Sequence, residues 1–147
     1  MSVCTDRQSW MSLLATAPAA EVDTLWRMLG LSPDFSTLRP PEVGAVMVRG
    51  RAGATGAPFN LGEMTVTRCS VRLSGGEVGH GYVQGRDKAH AERAALIDAL
   101  MQTDRADCLR RDILGPLSEH VAARRADRAA RAAATKVEFF TVARGED

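Results

Sequence analysis

Two amphipathic helices are predicted in the first third of the chain from the spacing of its apolar residues. The first covers about residues 6–15, and Pro18 then ends it, because proline lacks the N–H group that a helix interior needs. Pro18 suits the first turn of the second helix, and Gly30 suits its C-terminal cap. The apolar residues of the second helix have the i, i+3, i+4, i+7 spacing of one helical face: Val22, Leu25, Trp26 and Leu29. Trp10 and Trp26 are therefore expected to anchor the core or an interface.

Strands are predicted in the middle of the chain, where prolines end the helical pattern. Three segments have the apolar and β-branched content of strands: residues 42–51, 61–73 and 77–84. Gly75 and Gly76 separate the last two segments and permit the positive φ angles of a tight turn. The sequence therefore predicts an antiparallel hairpin there, and a glycine-spaced loop, GRAGATGAPFN, joins the first two strands.

The long strand over residues 61–73 has an irregular alternation. Met64 and Val66 are apolar in one phase, whereas Cys69, Val71 and Leu73 are apolar in the other, and a period of two cannot place both sets on one face. A β-bulge near Thr67 and Arg68 would restore the pattern, and bulges often re-aim side chains beside functional sites. The alternative is that helices cover one face of the strand and a partner subunit covers the other.

The last third of the chain is predicted to hold two more helices and a final strand. Residues 87–102 have a helical pattern, and Gly115 and Pro116 separate them from a helix over about residues 117–134. That last helix is rich in alanine and arginine, so it buries little area and is expected to pack closely against something or to lie partly in solvent. The composition of residues 137–144, VEFFTVAR, is typical of a strand that returns to the sheet.

These elements predict one α+β domain over residues 1–147, with an antiparallel sheet of about four strands and N-terminal and C-terminal helices packed on it. A chain of this length is typical of a single domain. It can bury most of its apolar surface without help from metals or disulfides.

Composition and charge exclude several partners. The formal net charge is +1, so bulk electrostatics do not attract the chain to nucleic acid or to a membrane. No segment approaches the roughly 20 apolar residues that span a bilayer, and the N-terminus does not resemble a signal peptide. We therefore predict a cytoplasmic protein without nucleic-acid or membrane partners. All basic residues except Lys88 and Lys136 are arginines, which reflects either base composition of the genome or recognition of anions and partners.

Motifs for metal binding or catalysis are not found in the sequence. Cys4, Cys69 and Cys108 form no CxxC pair, and the histidines have no HExxH spacing. His80 and His90 are each expected to be hydrogen-bonded and partly buried rather than ligands. No nucleophile stands beside a histidine motif, and no acidic pair is arranged for acid–base work. We therefore predict no catalytic residue, no metal site and no cofactor bound by this chain alone.

Two segments carry residues that suit an anion or a partner. The first is the loop GRAGATG, residues 50–56, which contains Arg51 and follows Arg49, although it lacks the GK[ST] ending of a phosphate-binding loop. A simple glycine-rich connection between two strands explains this loop better, because glycines serve turns in the same way.

The second segment is GRDKAHAE, residues 85–92. Asp87 is expected to cap the following helix, and Arg86, His90 and Arg93 would then project near the helix start, where an anion is favoured. The competing interpretation is a capped helix in which Asp87 and Glu92 pair with neighbouring arginines. The residues alone favour this second interpretation.

The segment GYVQGRDKAHAERAALIDALMQ, residues 81–102, closely resembles the signature of the PhnG family, whose members are core subunits of the carbon–phosphorus lyase system. The resemblance extends through RPPEVGAVMVRGRAGATGAPFNLGEMTVTRCSVRL before it and VEFFTVARG near the end, and includes RQSWMSLLA at the start. One departure is Ala54, where the family pattern leads us to expect a second glycine.

The resemblance implies an accessory, non-catalytic role in phosphonate catabolism. Members of the family assemble with the H, I and J subunits and act with an ATPase-like L subunit. The assembly transfers ribose 5-triphosphate from ATP to methylphosphonate and releases adenine. The I subunit, to which the nucleosidase-type step is assigned, is the expected main contact of this chain.

Partner-facing or anion-facing positions follow from the resemblance and the two segments together. They are Arg49, Arg51, Arg68, Arg86, Asp87, His90, Glu92 and Arg93. Within this set, Arg49, Arg68, Arg86 and His90 are expected at or near the border with the I subunit. Two alternatives remain: a purely structural interaction module of the complex, and a free-standing anion-binding protein.

Overall fold

The chain folds into an α+β structure, as the sequence predicts. A computed structural model describes residues 6–135. The elements in chain order are α1 (Arg7–Thr16), α2 (Ala19–Leu29), β1 (Phe35–Arg51), β2 (Pro58–Leu73), β3 (Val78–Gln84), α3 (Lys88–Leu100), α4 (Ala106–Leu109) and α5 (Gly115–Ala134). A single 3₁₀ turn, Ala52–Ala54, joins β1 to β2, and a π-helical turn, Arg110–Leu114, joins α4 to α5. Gly30 ends α2 in the left-handed conformation, as expected of a C-terminal cap.

The three strands form an antiparallel sheet in the order β1-β2-β3. The predicted hairpin between β2 and β3 is confirmed: the N–H of Leu73 donates to the carbonyl of Glu77, and Gly76 has a φ of 103°. Residues 137–144, the predicted fourth strand, lie outside the described residues. The sheet of the described part therefore has three strands.

Helix α3 packs against one face of the sheet at very short range. A Cβ atom on Gly79 would lie 2.0 Å from the carbonyl oxygen of Ala95, and one on Gly81 would lie 1.9 Å from that of Ala91. The helix backbone thus occupies the space that side chains on β3 would otherwise fill. We call this side of the sheet the helix face, and the side with the alternate residues, such as Arg68, the open face.

The core lies between the helix face and α1, α2, α3 and the α4–α5 segment. Its fully buried residues are mostly aliphatic and come from every layer: Leu14, Val22, Val71, Val83, Ile97, Leu109, Ile113, Leu114 and Leu117. Trp10 is only 7% exposed and belongs to this cluster, whereas Trp26 packs on its edge. Both tryptophans were expected to anchor the core or an interface, and their packing confirms that they anchor the core.

The bulge predicted near Thr67 and Arg68 is wrong, because the extra residues opposite this part of β2 lie in β1. β2 pairs with β3 without a shift from Val66 to Arg72. Its register with β1 shifts between Thr37 and Arg39 and again between Arg39 and Glu42, at the two prolines of β1, which have no N–H to donate to a ladder. A third shift, between Val48 and Arg49, leaves Leu61 of β2 without a register partner.

Thr67 explains the two phases of β2. It is fully buried on the helix face, and its hydroxyl donates to the carbonyl oxygen of Gly85 at 2.7 Å. A satisfied threonine therefore occupies the core phase ahead of Cys69, while Met64 and Val66 belong to the open face.

Gly115 and Pro116 do not separate two helices, which corrects the sequence prediction. The chain stays helical from Ala106 to Ala134 by passing through the π-helical turn. Pro116 lies at the start of α5, directly after the π-helical turn. From residue 122 to residue 135 every residue is exposed, so this alanine- and arginine-rich helix lies partly in solvent, which is the second of the two expected arrangements.

The paired ends of β1 and β2 extend well past β3. Pairing between β2 and β3 ends at Val66 and Gln84, and beyond this point residues 45–65 form a two-stranded segment, which we call the ribbon. Three of its large apolar residues are well exposed: Met47 at 52%, Phe59 at 45% and Leu61 at 66%. Because β3 does not pair with the ribbon, this segment gains little support from the core. A two-stranded ribbon without such support is marginally stable in water.

Candidate functional site

The eight residues that the sequence singled out occupy three different parts of the fold. Arg49 and Arg51 lie at the end of the ribbon, and Arg68 lies on the open face of the sheet. The remaining five surround the start of α3: Arg86, Asp87, His90, Glu92 and Arg93. The structure therefore does not gather them into a single pocket.

The glycine loop at the end of the ribbon is a compact turn that closes on itself. The Nη1 atom of Arg51 donates to the carbonyl oxygen of Gly56 at 3.1 Å, and the N–H of Gly56 donates to the carbonyl of Ala52 at 2.9 Å. Gly53 has a φ of 57°, and a Cβ on Gly56 would lie 2.7 Å from the carbonyl oxygen of Ala52. The glycines thus serve the turn itself, which agrees with the strand-connection interpretation.

Asp87 caps α3, as the sequence predicts. Its side chain accepts a hydrogen bond from the backbone N–H of His90 at 2.9 Å, and it satisfies one of the free donors at the helix start. Arg86 before it is exposed, and Glu92 is half-buried.

Arg93 joins α3 to α2 instead of standing free. Its guanidinium contacts the carboxylate of Asp23 at 2.5 Å, and Asp23 also pairs with Arg27 one turn later in α2. The predicted pairing of arginines with Asp87 and Glu92 is therefore replaced by a pairing with α2.

His90 lies inside the protein rather than on its surface. It is 3% exposed, it contacts the backbone of Leu14, and its Nε2 atom has no hydrogen-bond partner among the described residues. Burial lowers the pKa of His90, and the repulsion from Arg93 acts in the same direction, while Asp87 opposes both. A neutral, buried imidazole cannot attract an anion at the surface of this chain.

His90 is expected to make folding sensitive to mild acid. Because its pKa lies below 6.5 in the folded state, the unfolded chain binds the proton more readily, and stability falls as the pH drops below about 6.5. One such proton contributes at most about 1.4 kcal/mol per pH unit. Urea unfolding between pH 8 and pH 5 should therefore show a shallower decline for His90→Gln than for the wild type.

The matched control for this prediction is His120→Gln, because His120 is largely exposed beside Glu21. It should retain the pH dependence of the wild type. A His90→Gln variant with the same decline as the wild type would show that another group is responsible.

Arg68 is the centre of a polar cluster on the open face. It pairs across the sheet with Tyr82 of β3 and with Glu42 of β1, and its guanidinium lies 3.7 Å from the Glu42 carboxylate. Gly44 lies beside it, and a Cβ there would meet Nη2 of Arg68 at 3.8 Å, an ordinary contact distance. Arg39 contacts the same carboxylate at 3.6 Å, so two guanidinium groups share one acid.

Sequence reasoning missed the most constrained polar group of the described part, which is Asp98 in α3. Its fully buried carboxylate accepts four hydrogen bonds: from Nε and Nη2 of Arg7 at 3.0 and 2.7 Å, from the indole N–H of Trp10 at 2.9 Å, and from the backbone N–H of His80 at 2.9 Å. It thereby ties α1, β3 and α3 together. The sequence offered one signal for this network, an acidic residue on the apolar face of a helix, which must find partners when it is buried.

The described residues hold no arrangement typical of an active site. Within residues 6–135, no three histidine, cysteine or acidic side chains are placed to bind a metal. Burial raises the pKa of the Cys69 thiol, and a hydrogen bond with Asp112 raises that of Cys108, so neither thiol is activated. None of the described helices is long and apolar enough to cross a membrane.

The fold and its surfaces define a class of protein. It is an α+β protein whose described part has exposed apolar and charged surfaces and a buried polar network, and no arrangement typical of an active site.

Comparison with known proteins gives the family. The sequence profile of the family described as phosphonate metabolism protein PhnG matches residues 5–145. The alpha-D-ribose 1-methylphosphonate 5-triphosphate synthase subunit PhnG of Rhizobium meliloti (strain 1021) is 49% identical over 145 residues, which cover 96% of this chain and 90% of that protein. The chain belongs to the PhnG family, and the resemblance noted in the sequence is confirmed.

Proposed function

We propose that this protein is an accessory, non-catalytic subunit of an α-D-ribose 1-methylphosphonate 5-triphosphate synthase in phosphonate catabolism. Family membership and the name of its relative support the subunit role. The lack of a catalytic constellation among the described residues supports the non-catalytic part of the proposal. The whole chain, residues 1–147, would act as one domain in the cytoplasm.

The observation that carries the proposal is the exposed ribbon. Met47, Phe59 and Leu61 each expose between two fifths and two thirds of their surface on a segment that projects past β3. Gly50 adds to this surface, because the side chains of Phe59 and Leu61 pack over its bare backbone, 3.8 Å from where a Cβ atom would stand. Several exposed apolar side chains on one segment mark an interaction site, whereas a single exposed apolar side chain is ordinary.

The exposed half of α5 supports the same interpretation. Its residues from 122 onward contact no core, and alanine side chains bury too little area to hold a helix in place by themselves. The ribbon and the exposed half of α5 therefore both project without support from the core. Such segments are typical of subunits of stable complexes, whose interfaces are apolar and resemble a protein core cut in half.

In this proposal the chain has a helper role in the reaction of the synthase. The synthase transfers ribose 5-triphosphate from ATP to methylphosphonate and releases adenine, and the H, I and J subunits with an ATPase-like L subunit are the proposed partners. The I subunit is the proposed main contact. Arg49, Arg51, Arg68 and Arg86 are exposed or half-exposed and remain proposed partner-facing residues, whereas His90 would act from beneath the surface.

Reconstitution of the synthase tests the proposal. Adenine release from ATP in the presence of methylphosphonate is expected to need this chain. Met47→Asp in the ribbon should weaken assembly and turnover together by about tenfold or more, because a charge would enter an apolar interface. The matched control is Met28→Asp in α2, since Met28 is 79% exposed outside the ribbon and should change both by less than about twofold.

Two other outcomes separate the alternatives. Full turnover without this chain would contradict the accessory role and leave a purely structural module. Assembly that survives Met47→Asp would show that the ribbon is not the binding segment.

A further inference from the structure

The open face of the sheet carries an excess of positive charge. Arg39 of β1 and Arg68 and Arg72 of β2 lie on this face, and Glu42 is the acidic residue beside them. Glu42 contacts both Arg39 and Arg68, whereas Arg72 forms no ion pair within residues 6–135. One carboxylate therefore faces three guanidinium groups.

Hydrogen-bonding groups and an aromatic ring complete this face. Tyr82 is 42% exposed and lies opposite Arg68 in the register. Next to this pair, Ser70 and His80 lie opposite each other, with Oγ and Nδ1 at 2.9 Å. The Nε atom of Arg68 is buried and has no acceptor among the described residues. Tyrosine and arginine are the residue types that most often carry the binding energy of protein interfaces.

The spacing of the charges decides what can cover the face. Arg68 and Arg72 are four residues apart on an extended strand, so their Cα atoms are separated by about 13 Å. The guanidinium groups are thus spread along the strand, and those of Arg39 and Arg68 already contact Glu42, an arrangement that suits several carboxylates of a protein surface better than one phosphate group. The open face is also continuous with the ribbon, since the register pair of Val46 and Met64 follows that of Glu42 and Arg68 along the same side, four residues further on.

We infer that the open face binds an acidic protein surface, with Arg68 and Tyr82 at its centre and Arg39 and Arg72 at its sides. The inference rests on the proposed subunit role and extends it. The ribbon supplies apolar contact, and the open face supplies the charges that orient the partner. Charge complementarity of this kind sets specificity and the rate of association.

Charge reversal at Arg72 tests the inference in the assembled complex. Arg72 is exposed and unpaired within the described part, so Arg72→Glu should leave the fold intact. It is expected to raise the dissociation constant of the complex by about tenfold or more and to flatten its dependence on salt. Arg72→Lys keeps the charge and should recover most of the affinity.

Arg105→Glu is the matched control, because Arg105 is an exposed arginine beside α4 with no ion pair in residues 6–135. It should change the dissociation constant by less than about twofold. Equal affinity and salt dependence for Arg72→Glu and the wild type would overturn the inference while the complex, and with it the proposed function, stands. A wild-type chain that forms no complex would overturn both.

Inorganic triphosphate is the probe for the competing interpretation of the face. If the free chain binds it in an Arg72-dependent way and assembly is unaffected by Arg72→Glu, the face is an anion site and the inference is wrong. The expected result is no saturable binding of triphosphate to the free chain.

Discussion

Gly81→Ala is expected to lower the free energy of unfolding by about 3 kcal/mol or more, because overpacking against a backbone cannot be relieved by rotation of a side chain. The new Cβ would lie 1.9 Å from the carbonyl oxygen of Ala91 and 2.9 Å from its carbonyl carbon. Helix α3 would have to move away from β3, and the buried residues that it shares with the sheet would lose contact. Urea or thermal unfolding followed by circular dichroism measures the change.

Gly62→Ala is the matched control in the same sheet. Nothing lies within 4 Å of a Cβ at Gly62. Its effect on the free energy of unfolding should stay within about 1 kcal/mol, because alanine meets no neighbour there and also restricts the unfolded chain. Equal effects for Gly81→Ala and Gly62→Ala would show that α3 does not approach β3 at such short range.

Asp98→Ala is expected to cost about 3–5 kcal/mol, because removal of one partner from a buried, hydrogen-bonded charge pair leaves the others uncompensated. The indole N–H of Trp10 and the backbone N–H of His80 would lose their acceptor inside the protein. Arg7 is 45% exposed and would be solvated in part, so most of the cost arises from these two buried donors. Chemical denaturation measures the total effect.

Tryptophan fluorescence gives a local measurement at the same site, since Trp10 should become more solvated in Asp98→Ala. Asp98→Asn keeps one acceptor oxygen and should cost less than Asp98→Ala. The control is Asp104→Ala, because Asp104 is exposed and should change stability by less than about 0.5 kcal/mol. A cost for Asp98→Ala no larger than for Asp104→Ala would contradict the buried network.

Local signals explain which parts of the fold could be predicted from the sequence. The β2–β3 hairpin, the Asp87 cap and the Gly30 cap each depend on residues a few positions apart, and all three predictions are confirmed. The predicted break at Gly115 and Pro116 is wrong, because a π-helical turn keeps the helix continuous there.

Contacts between distant residues explain most of the other differences. Arg7 and Asp98 are 91 positions apart, so no local pattern pairs them. In the sequence, Gly79 and Gly81 look like ordinary strand glycines, although it is their lack of a side chain that allows α3 to pack against β3. The irregular alternation of β2 is explained by the hydrogen bond from the Thr67 hydroxyl to the carbonyl of Gly85. A count of apolar positions cannot predict this hydrogen bond.

The candidate site was predicted less well than the fold. Arg68 lies on the open face, as a partner-facing arginine would. The five residues near the start of α3 have different roles: Asp87 caps the helix, His90 is buried, Arg93 pairs with α2, and Arg86 and Glu92 lie nearer the surface. Whether a side chain near a helix start is exposed depends on what packs beside it. Here α1 and α2 pack there, and the local sequence does not show this.

Co-expression of this chain with the H, I and J subunits from the same genome tests whether it is a subunit of their complex. The chain would carry the affinity tag, and size-exclusion chromatography with light scattering would give the mass of what it retains. We expect a stoichiometric complex that survives purification and is lost in Met47→Asp but not in Met28→Asp. A tagged wild-type chain that elutes alone, folded and free of the other subunits, would contradict the proposed subunit role.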